Sequence, residues 1–490
     1  MNGEIKAQSV AKNFSYQVIY QIATLVIPLI VSPYLTRTLG DTSLGVYSYT
    51  NSIAYYFLAF ANLGIAKYGQ RTLAAVRDNR DKLRIEFWSL YTVHAIISLL
   101  STLLFFAFAF FLVRDNRTVF LAQTLYVISA ISDITWLFYA LENFKSIIIR
   151  NIIIRVSECI CIFLFIKNPS DLLLYTVIVG LGVNLGQLIV FPKAIKAVPF
   201  AKFSFHDALK HVKPMLVLFI SVLAVSLYTV FDKSLLGWLS TKESVAYYTY
   251  ADKIISIPRT LIVTIGTVLF PRACKMAAEN NFEGQKKYIQ VATDVVCTIG
   301  CGTIFGLLAL GDEFSIIYFG SQFAECGPIM KTLSPIVLII GLGDIIRTQY
   351  LIPQKKDKEY TICIVMNAIV NIIVSASLIP MIGVYGAVFG TLSAEFFGLI
   401  YQSYLGRKAI RIKRWFLSLL PAGFCGLIMY TALVLIKRYY SISALSLCLE
   451  VLIGISIYSC LILVFVYLFR KSYWTIIISK VTSVGRRAKK

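Results

Sequence analysis

The chain has 490 residues, of which 58% are hydrophobic and only 15% are charged, and its mean hydropathy is +0.75. A soluble protein of this length could not bury so much apolar surface, so the composition excludes a soluble domain and predicts an all-α integral membrane protein. The formal net charge of +22 would favour nucleic-acid binding in a soluble chain. Here the basic residues lie in short loops between apolar runs, so we expect membrane orientation and no nucleic-acid partner.

The stretch from Asn13 to Ala66 predicts the first helical hairpin. It contains two apolar runs, each close to the 20 or so residues that a helix needs to cross a bilayer core of about 30 Å. The short turn TRTLGDTSLG separates them, so we expect antiparallel helices. The first twelve residues are polar and the first apolar run is full length, which argues against a cleaved signal peptide.

The same pattern continues along the chain and predicts fourteen spans, with both termini in the cytoplasm. In this orientation the cytoplasmic segments hold 33 Lys and Arg and the outer loops hold 7. A missed span would invert every later loop and destroy this asymmetry. The predicted spans are about 14–36, 45–66, 87–112, 119–141, 147–166, 171–191, 214–236, 246–270, 290–310, 327–349, 359–379, 383–405, 415–436 and 446–469.

A basic amphipathic segment at 199–213 separates the first six spans from the rest, and we expect it to lie along the inner membrane surface. A short internal repeat supports a division here. Leu39-Gly40 followed by YSYTNSI recurs as Leu236-Gly237 followed by YTYADKI. Spans one and seven start on the same side of the membrane, so the pattern predicts parallel repeats.

Many ionisable side chains lie within the predicted spans, where each is costly unless it is paired or hydrated. A passive anchor would not need them, so they predict a polar, water-filled cavity between two lobes. They are Asp133, Arg150, Arg155, Glu158, Asp232, Lys233, Asp252, Lys253, Arg259, Asp294, Lys331, Asp344, Arg347 and Glu395.

Some of these charges have a simpler interpretation than transport. The pairs Arg155–Glu158 and Asp344–Arg347 are spaced i,i+3, so each pair could neutralise itself on one helix face. Arg259 has no carboxylate three or four residues away, which makes it the strongest candidate for a cation that faces the cavity.

The sequence contains none of the common motifs for catalysis or metal binding that we looked for among its Cys, His and Gly residues. The ten Cys form no CxxC pair, and the three His form no Ser/His/Asp or HExxH arrangement. No GxxxxGK[ST] loop is present, so nucleotide hydrolysis by that route is excluded. We therefore predict no catalytic residue, no metal site and no cofactor.

Several segments together resemble the polysaccharide repeat-unit flippases (Wzx-type, for O-antigen and capsule) of the multidrug/oligosaccharidyl-lipid/polysaccharide exporter superfamily. The resemblance covers nearly the whole chain and is strongest in spans one to eight. The segments are Lys12–Ile53, YGQR at Tyr68–Arg71, DITWLFYALENFKSIIIRN at Asp133–Asn151, SLYTVFDKSLLG at Ser226–Gly237, YYTYADKI at Tyr247–Ile254, GTVLFPR at Gly266–Arg272, and Glu395 in SAEF.

The resemblance implies two pseudo-symmetric six-helix lobes, at 1–198 and 214–405, joined by the linker at 199–213. Residues 406–490 would add spans thirteen and fourteen and a basic cytoplasmic tail. It also implies movement of undecaprenyl-pyrophosphate-linked oligosaccharide to the outer leaflet of the bacterial cytoplasmic membrane, for surface polysaccharide synthesis. A polysaccharide polymerase and a chain-length regulator are the expected protein partners.

Charge and depth, rather than a family motif, select the candidate site residues. A pyrophosphate is an anion that Arg and Lys bind well in a low-dielectric cavity. The head-group candidates are Arg37, Arg155, Lys233, Lys253, Arg259 and Arg347. The coupling ion could be H⁺ or Na⁺. The acidic candidates for coupling are Asp133, Glu158, Asp252, Asp344 and Glu395.

Two alternatives remain at this stage. An ion-coupled multidrug or other lipid-precursor exporter of the same superfamily would be expected to have an acid-dominated cavity. A membrane polysaccharide polymerase would be expected to have a long outer loop with catalytic residues, whereas the outer loops predicted here are short.

Overall fold

The computed structural model describes residues 10–407, 412–438 and 443–469. Every regular element in these ranges is helical. Many large apolar side chains point outward, as Phe111 does with 76% of its surface exposed. A helix surface of this kind fits a lipid environment, so the described residues form a polytopic membrane protein. The predicted basic tail lies outside the described residues.

The first half of the chain contains nine helices in the described residues. They are α1 (Val10–Thr38), α2 (Gly40–Asn62), α3 (Ile65–Val76), α4 (Arg80–Ala107), α5 (Arg117–Ile128), α6 (Thr135–Ala140), α7 (Phe144–Phe165), α8 (Leu172–Ala197) and α9 (Phe205–Leu209).

The second half contributes nine more in the ranges described. They are α10 (Val212–Leu239), α11 (Lys242–Ala278), α12 (Phe282–Phe314), α13 (Cys326–Leu333), α14 (Ile336–Ile346), α15 (Asp357–Ile382), α16 (Val384–Gly406), α17 (Ile412–Ile436) and α18 (Ala444–Phe469).

Nine helical segments of the described chain are long and apolar enough to cross a membrane, and the number rises to ten if the bent pair Ser321–Leu333 and Ile336–Leu351 is one span. The prediction of many spans is therefore correct at this coarser level. Charges account for part of the difference from fourteen, since α7 contains Lys145, Arg150, Arg155 and Glu158.

Two of the predicted spans are interrupted. Between Ser129 and Ile134 the fourth predicted span becomes a 3₁₀ turn and a short extended stretch before α6. The tenth is divided between α13 and α14, and it ends in a turn of π-helix at Arg347–Leu351. Such π-turns often occur at functional sites.

The described chain forms two compact units. Unit 1 ends at Thr249 and also includes Ser375–Ala387, whereas unit 2 covers Tyr250–Val374 and resumes at Val388. The division falls within α11 rather than at 199–213. The two six-helix lobes remain a prediction.

In unit 1, α2 packs against α4, α5 and α10, and α8 packs against α5 and α7. An aromatic cluster fills one end of this core. Phe87 and Trp136 are each only 1% exposed, and their ring centroids lie 5.4 Å apart. The Trp136 indole also donates a hydrogen bond to the Asp133 carbonyl at 3.0 Å. The ring contact with Phe87 therefore joins the interrupted span to α4.

The segment at 199–213 is docked on this core. Ala208 is fully buried, and Arg84 donates hydrogen bonds to the carbonyls of Pro199 and Phe200 at 3.0 and 2.9 Å. His211 lies where the segment meets α10. Its Nδ1 is 2.9 Å from the Tyr68 hydroxyl, and its Nε2 is 3.4 Å from a carboxylate oxygen of Glu86.

This histidine predicts a pH dependence of stability. Burial lowers the pKa of His211, and the nearby Glu86 and Asp207 carboxylates only partly oppose that effect. The unfolded chain therefore binds the proton more readily, so the free energy of unfolding falls as the pH drops through about 6.5. Between pH 7.5 and 5.5, about the range that brackets this value, the melting temperature of His211→Gln should fall less than that of the wild type. The exposed His206→Gln is the control, and equal falls in all three proteins would contradict the prediction.

In unit 2, α17 and α18 pack against α12. Met429 and Leu433 of α17 and Tyr458 of α18 are buried in this interface. The Tyr458 hydroxyl donates a hydrogen bond to the Thr298 carbonyl at 2.8 Å. The last two long helices are thus part of the core of this unit.

Candidate functional site

A buried carboxylate and a more exposed guanidinium lie together at the end of α14. Asp344 is 2% exposed and its Oδ1 accepts a hydrogen bond from Arg347, whose side chain is 29% exposed. The Arg347 guanidinium also lies 5.7 Å from the centroid of the Tyr360 ring. The i,i+3 spacing therefore does produce the local pair that the sequence suggested.

The opposite side of Asp344 faces a glycine of α11. A Cβ atom built on Gly266 would lie 2.4 Å from Asp344 Oδ2 and 3.2 Å from the Thr348 hydroxyl. Gln349 donates a hydrogen bond to the Gly266 carbonyl at 2.9 Å. The carboxylate is thus packed directly against a helix backbone.

Unit 1 contains a second pair of the same construction on α7. Glu158 is buried, and Arg155 donates a hydrogen bond to its Oε2 at 3.2 Å while remaining half exposed. A Cβ on Gly182 of α8 would lie 2.3 Å from Glu158 Oε1. In both units a glycine of the neighbouring helix makes room for the carboxylate.

Arg259 has a partner that its local sequence did not reveal. Its guanidinium lies 3.4 Å from Asp252 Oδ1, two helical turns earlier on α11, and both side chains are about a quarter exposed. Lys253 instead lies 4.0 Å from the centroid of the Tyr250 ring.

The other two cationic candidates belong to unit 1. Arg37 is exposed in the last turn of α1, and Lys233 is half-buried on α10. Asp232 is only 4% exposed and accepts hydrogen bonds from the hydroxyls of Tyr248 and Ser375, each at 3.1 Å. Adjacent side chains on α10 thus have different surroundings.

Two acidic candidates differ in their contacts. Asp133 Oδ1 accepts hydrogen bonds from the backbone N–H and the hydroxyl of Thr135, the first residue of α6, at 3.0 and 2.6 Å. This contact gives Asp133 a local structural role. Glu395 is half-buried on α16 and forms no ion pair with any residue in the described ranges.

The structure places Arg37, Arg155 and Lys233 in unit 1 and Lys253, Arg259 and Arg347 in unit 2. Three of the six cations are each paired with a carboxylate of their own unit. Convergence of all six on one cavity therefore remains a prediction.

Sequence reasoning missed a buried acidic group on α18. Glu450 is 4% exposed, and it lies close to Glu313, which pairs with Lys437 at 3.0 Å. Glu450 lies only six residues after the start of its helix, and such terminal positions are usually exposed. Glu450 is buried in the region where α18 packs against α12 and α17.

The turns of the two repeat copies lie against each other in unit 1. The first residues of α2 contact the start of α11, where Thr42 hydrogen-bonds Glu243 at 2.7 Å and Tyr247 donates to Asp41 at 2.6 Å. A Cβ on Gly45 would lie 1.8 Å from the Lys242 carbonyl oxygen. The two matching turns therefore form one tight contact.

The contact of Asp344 with Gly266 predicts a stability effect. Gly266→Ala should lower the free energy of unfolding by about 1–3 kcal/mol, because the new methyl group must displace the buried carboxylate or α11. Thermal or denaturant unfolding in detergent measures the change. The control is Gly423→Ala in α17, where a Cβ would meet nothing within 4 Å. Equal effects of the two substitutions would contradict the prediction.

Among the described residues, no group of three or more His, Cys, Asp and Glu side chains is arranged to hold a metal ion. The chemistry that the site offers is ionic. Buried carboxylates are neutralised by more exposed arginines, whose remaining N–H donors suit a carboxylate or phosphate ligand.

The model of the polysaccharide biosynthesis protein family matches residues 10–277, which is more than half of the chain. The chain belongs to this family. A candidate O-antigen transporter of Shigella dysenteriae is 26% identical over 76% of this chain and 94% of that protein. A candidate O-antigen transporter of Escherichia coli K12 is 22% identical over 79% and 94% of the two chains.

The fold has a solved counterpart. The lipid II flippase MurJ in an inward closed conformation superposes with a TM-score of 0.76, covering 92% of this chain and 99% of that one at 16% identity. The family member described here thus has the fold of a polytopic membrane transporter, as its sequence predicted.

Proposed function

We propose that this protein is a flippase that moves undecaprenyl-pyrophosphate-linked oligosaccharide repeat units from the cytoplasmic to the outer leaflet for surface polysaccharide synthesis. Membership of the polysaccharide biosynthesis family is the observation that carries this proposal. The relatives named as O-antigen transporters and the MurJ-like fold support it. The protein is a transporter and not an enzyme.

The physics of the substrate fits this function. The polyprenyl tail can stay in the bilayer while only the charged, sugar-bearing head needs a polar path. Arginine binds pyrophosphate oxygens with charge-assisted hydrogen bonds, which are strong in a low-dielectric site. In each described carboxylate–arginine pair of the site, the arginine side chain is at least as exposed as the carboxylate.

We further propose fourteen spans in two six-helix lobes with the pair α17 and α18 appended, and a linker at 199–213. The protein would lie in the bacterial cytoplasmic membrane with both termini inside. Alternating access of the two lobes would expose the cationic candidates to each side in turn. A polymerase and a chain-length regulator would use the product.

Reconstitution tests the function. Vesicles with the purified protein should expose a polyprenyl-pyrophosphate-linked oligosaccharide of the inner leaflet to an impermeant glycosidase much faster than protein-free vesicles do. Equal rates would overturn the proposal. Export of a cationic dye by the same vesicles, without movement of the lipid, would favour the multidrug exporter instead.

A further inference from the structure

The surroundings of Asp344 contain more hydrogen-bond acceptors than donors. Asp344 Oδ2 is buried and accepts no hydrogen bond from the described residues. The same is true of the side-chain oxygens of Gln349 and Gln402. These two residues are themselves 0% and 7% exposed. Buried acceptors without donors are rare and costly in native proteins.

The three oxygens belong to one small region of unit 2. Asp344 Oδ2 and the Gln349 amide both border Gly266, as described above. Gln402 Oε1 lies 3.5 Å from a Cβ built on Gly343, the residue before Asp344. A single proton on Asp344 would supply a donor where the described contacts provide none.

The only counter-charge that contacts Asp344 in the described structure is Arg347. The other titratable groups described nearby are the Tyr360 phenol on α15 and the Cys363 thiol, whose sulfur accepts a hydrogen bond from Gln402 at 3.2 Å. Neither side chain can supply a positive charge. If Arg347 turned to another anion, an ionised Asp344 would be left buried without a counter-charge, which is strongly unfavourable.

We propose that Asp344 and Arg347 form an exchangeable ion pair, in which a pyrophosphate or phosphate anion takes over Arg347 and Asp344 then takes up a proton. This inference rests on the proposed function, because it assigns that anion to the substrate head. The Arg347 N–H···Oδ1 bond breaks and N–H···O–P bonds form. The guanidinium keeps its charge, and one solvent proton converts the Asp344 carboxylate to a carboxylic acid. Substrate binding and proton binding are thereby coupled.

The second pair differs from this one in a way that the proposal requires. Neither carboxylate oxygen of Glu158 is both buried and without a hydrogen-bond partner, whereas Asp344 Oδ2 is. The Arg155 side chain is also 51% exposed. Glu158 is also less completely buried than Asp344, with 8% against 2% of the side chain exposed. For this reason we assign proton uptake to Asp344.

The test is a titration of the full-length protein in lipid nanodiscs with geranyl pyrophosphate, in sodium-free, weakly buffered solution near neutral pH. The wild type should take up about one more proton per bound anion than Asp344→Asn, and protons from the probe cancel in this difference. The Asp344→Asn protein should also bind the probe more tightly, by about three- to tenfold, since the carboxylate no longer competes for Arg347. Arg347→Gln should weaken binding by about tenfold or more.

The matched control is the pair Glu283–Lys286 on α12, which has the same i,i+3 order at 2.8 Å but a carboxylate that is 86% exposed. Glu283→Gln should behave as the wild type. Binding with equal proton uptake by the wild type and Asp344→Asn would overturn the exchange but leave the flippase function standing. Absence of binding to the wild type would also overturn the exchange, and the vesicle assay would then decide the flippase function separately. If added sodium abolished the proton uptake, a metal cation rather than a proton would accompany the anion, and the proposal would be overturned.

Discussion

Arg259→Ala is expected to reduce lipid-linked oligosaccharide transport by about ten- to a hundredfold, the loss from one charge-assisted hydrogen bond of about 1.5–3 kcal/mol. Arg259 follows Pro258 within α11, a helix that is long and apolar enough to cross the membrane. Its pair with Asp252 is partly exposed, so losing it should cost only about 0.2–1 kcal/mol of stability. Function should therefore fall while the fold remains.

The measurement is the vesicle assay combined with a thermal unfolding curve for the same preparation. Lys275→Ala is the matched control, because Lys275 lies on the same helix and pairs with Glu279 at 3.7 Å but is 76% exposed. Arg259→Lys should restore part of the activity, since the charge remains but the bidentate geometry is lost. Unchanged transport by a folded Arg259→Ala protein would remove Arg259 from the site.

Gly45→Ala is expected to be the most destabilising of the glycine substitutions considered. The new methyl group would lie 1.8 Å from the Lys242 carbonyl oxygen and 2.4 Å from its carbon, and backbone atoms cannot turn away as a side chain can. Helix α2 would have to leave the start of α11, which would disrupt the hydrogen bonds of Thr42 and Asp41 with Glu243 and Tyr247. We expect a loss of about 3 kcal/mol, at the upper end for overpacking.

Unfolding in detergent, followed by tryptophan fluorescence, measures this effect. Gly306→Ala in α12 is the control, because a Cβ there would meet only the Met429 methyl carbon at 3.9 Å. In a helix interior, replacing glycine by alanine favours the helical conformation and should raise the free energy of unfolding, by up to about 1 kcal/mol. A Gly45→Ala protein as stable as Gly306→Ala would mean that the two turns do not pack as described.

The helical architecture was predictable because each apolar run must satisfy its own backbone hydrogen bonds in a bilayer. The first hairpin illustrates this, since α1 and α2 meet at Leu39 within the turn that the sequence marked. The breaks were less predictable. The 3₁₀ turn before Asp133 and the π-turn that starts at Arg347 contain no proline, so no residue within them predicts a break in the helix.

Sequence spacing likewise predicted some contacts of the charged residues and missed others. Spacing identified Asp344–Arg347 and Arg155–Glu158, because residues three apart share a helix face. It did not identify Arg259–Asp252, which spans two turns and depends on the extension of a long side chain along α11. It also missed the glycine backbones behind the two buried carboxylates, which only the packing of neighbouring helices supplies.

Composition and periodicity alone determined that this chain is a helical membrane protein with basic loops and charges at depth, because the cost of apolar surface in water and of charge in lipid acts on every residue independently. Tertiary structure decided which charges are buried and what each one meets. Burial of Asp344, the missing donors around it and the contact of the two repeat turns depend on residues far apart in the chain, and no local pattern encodes such distances.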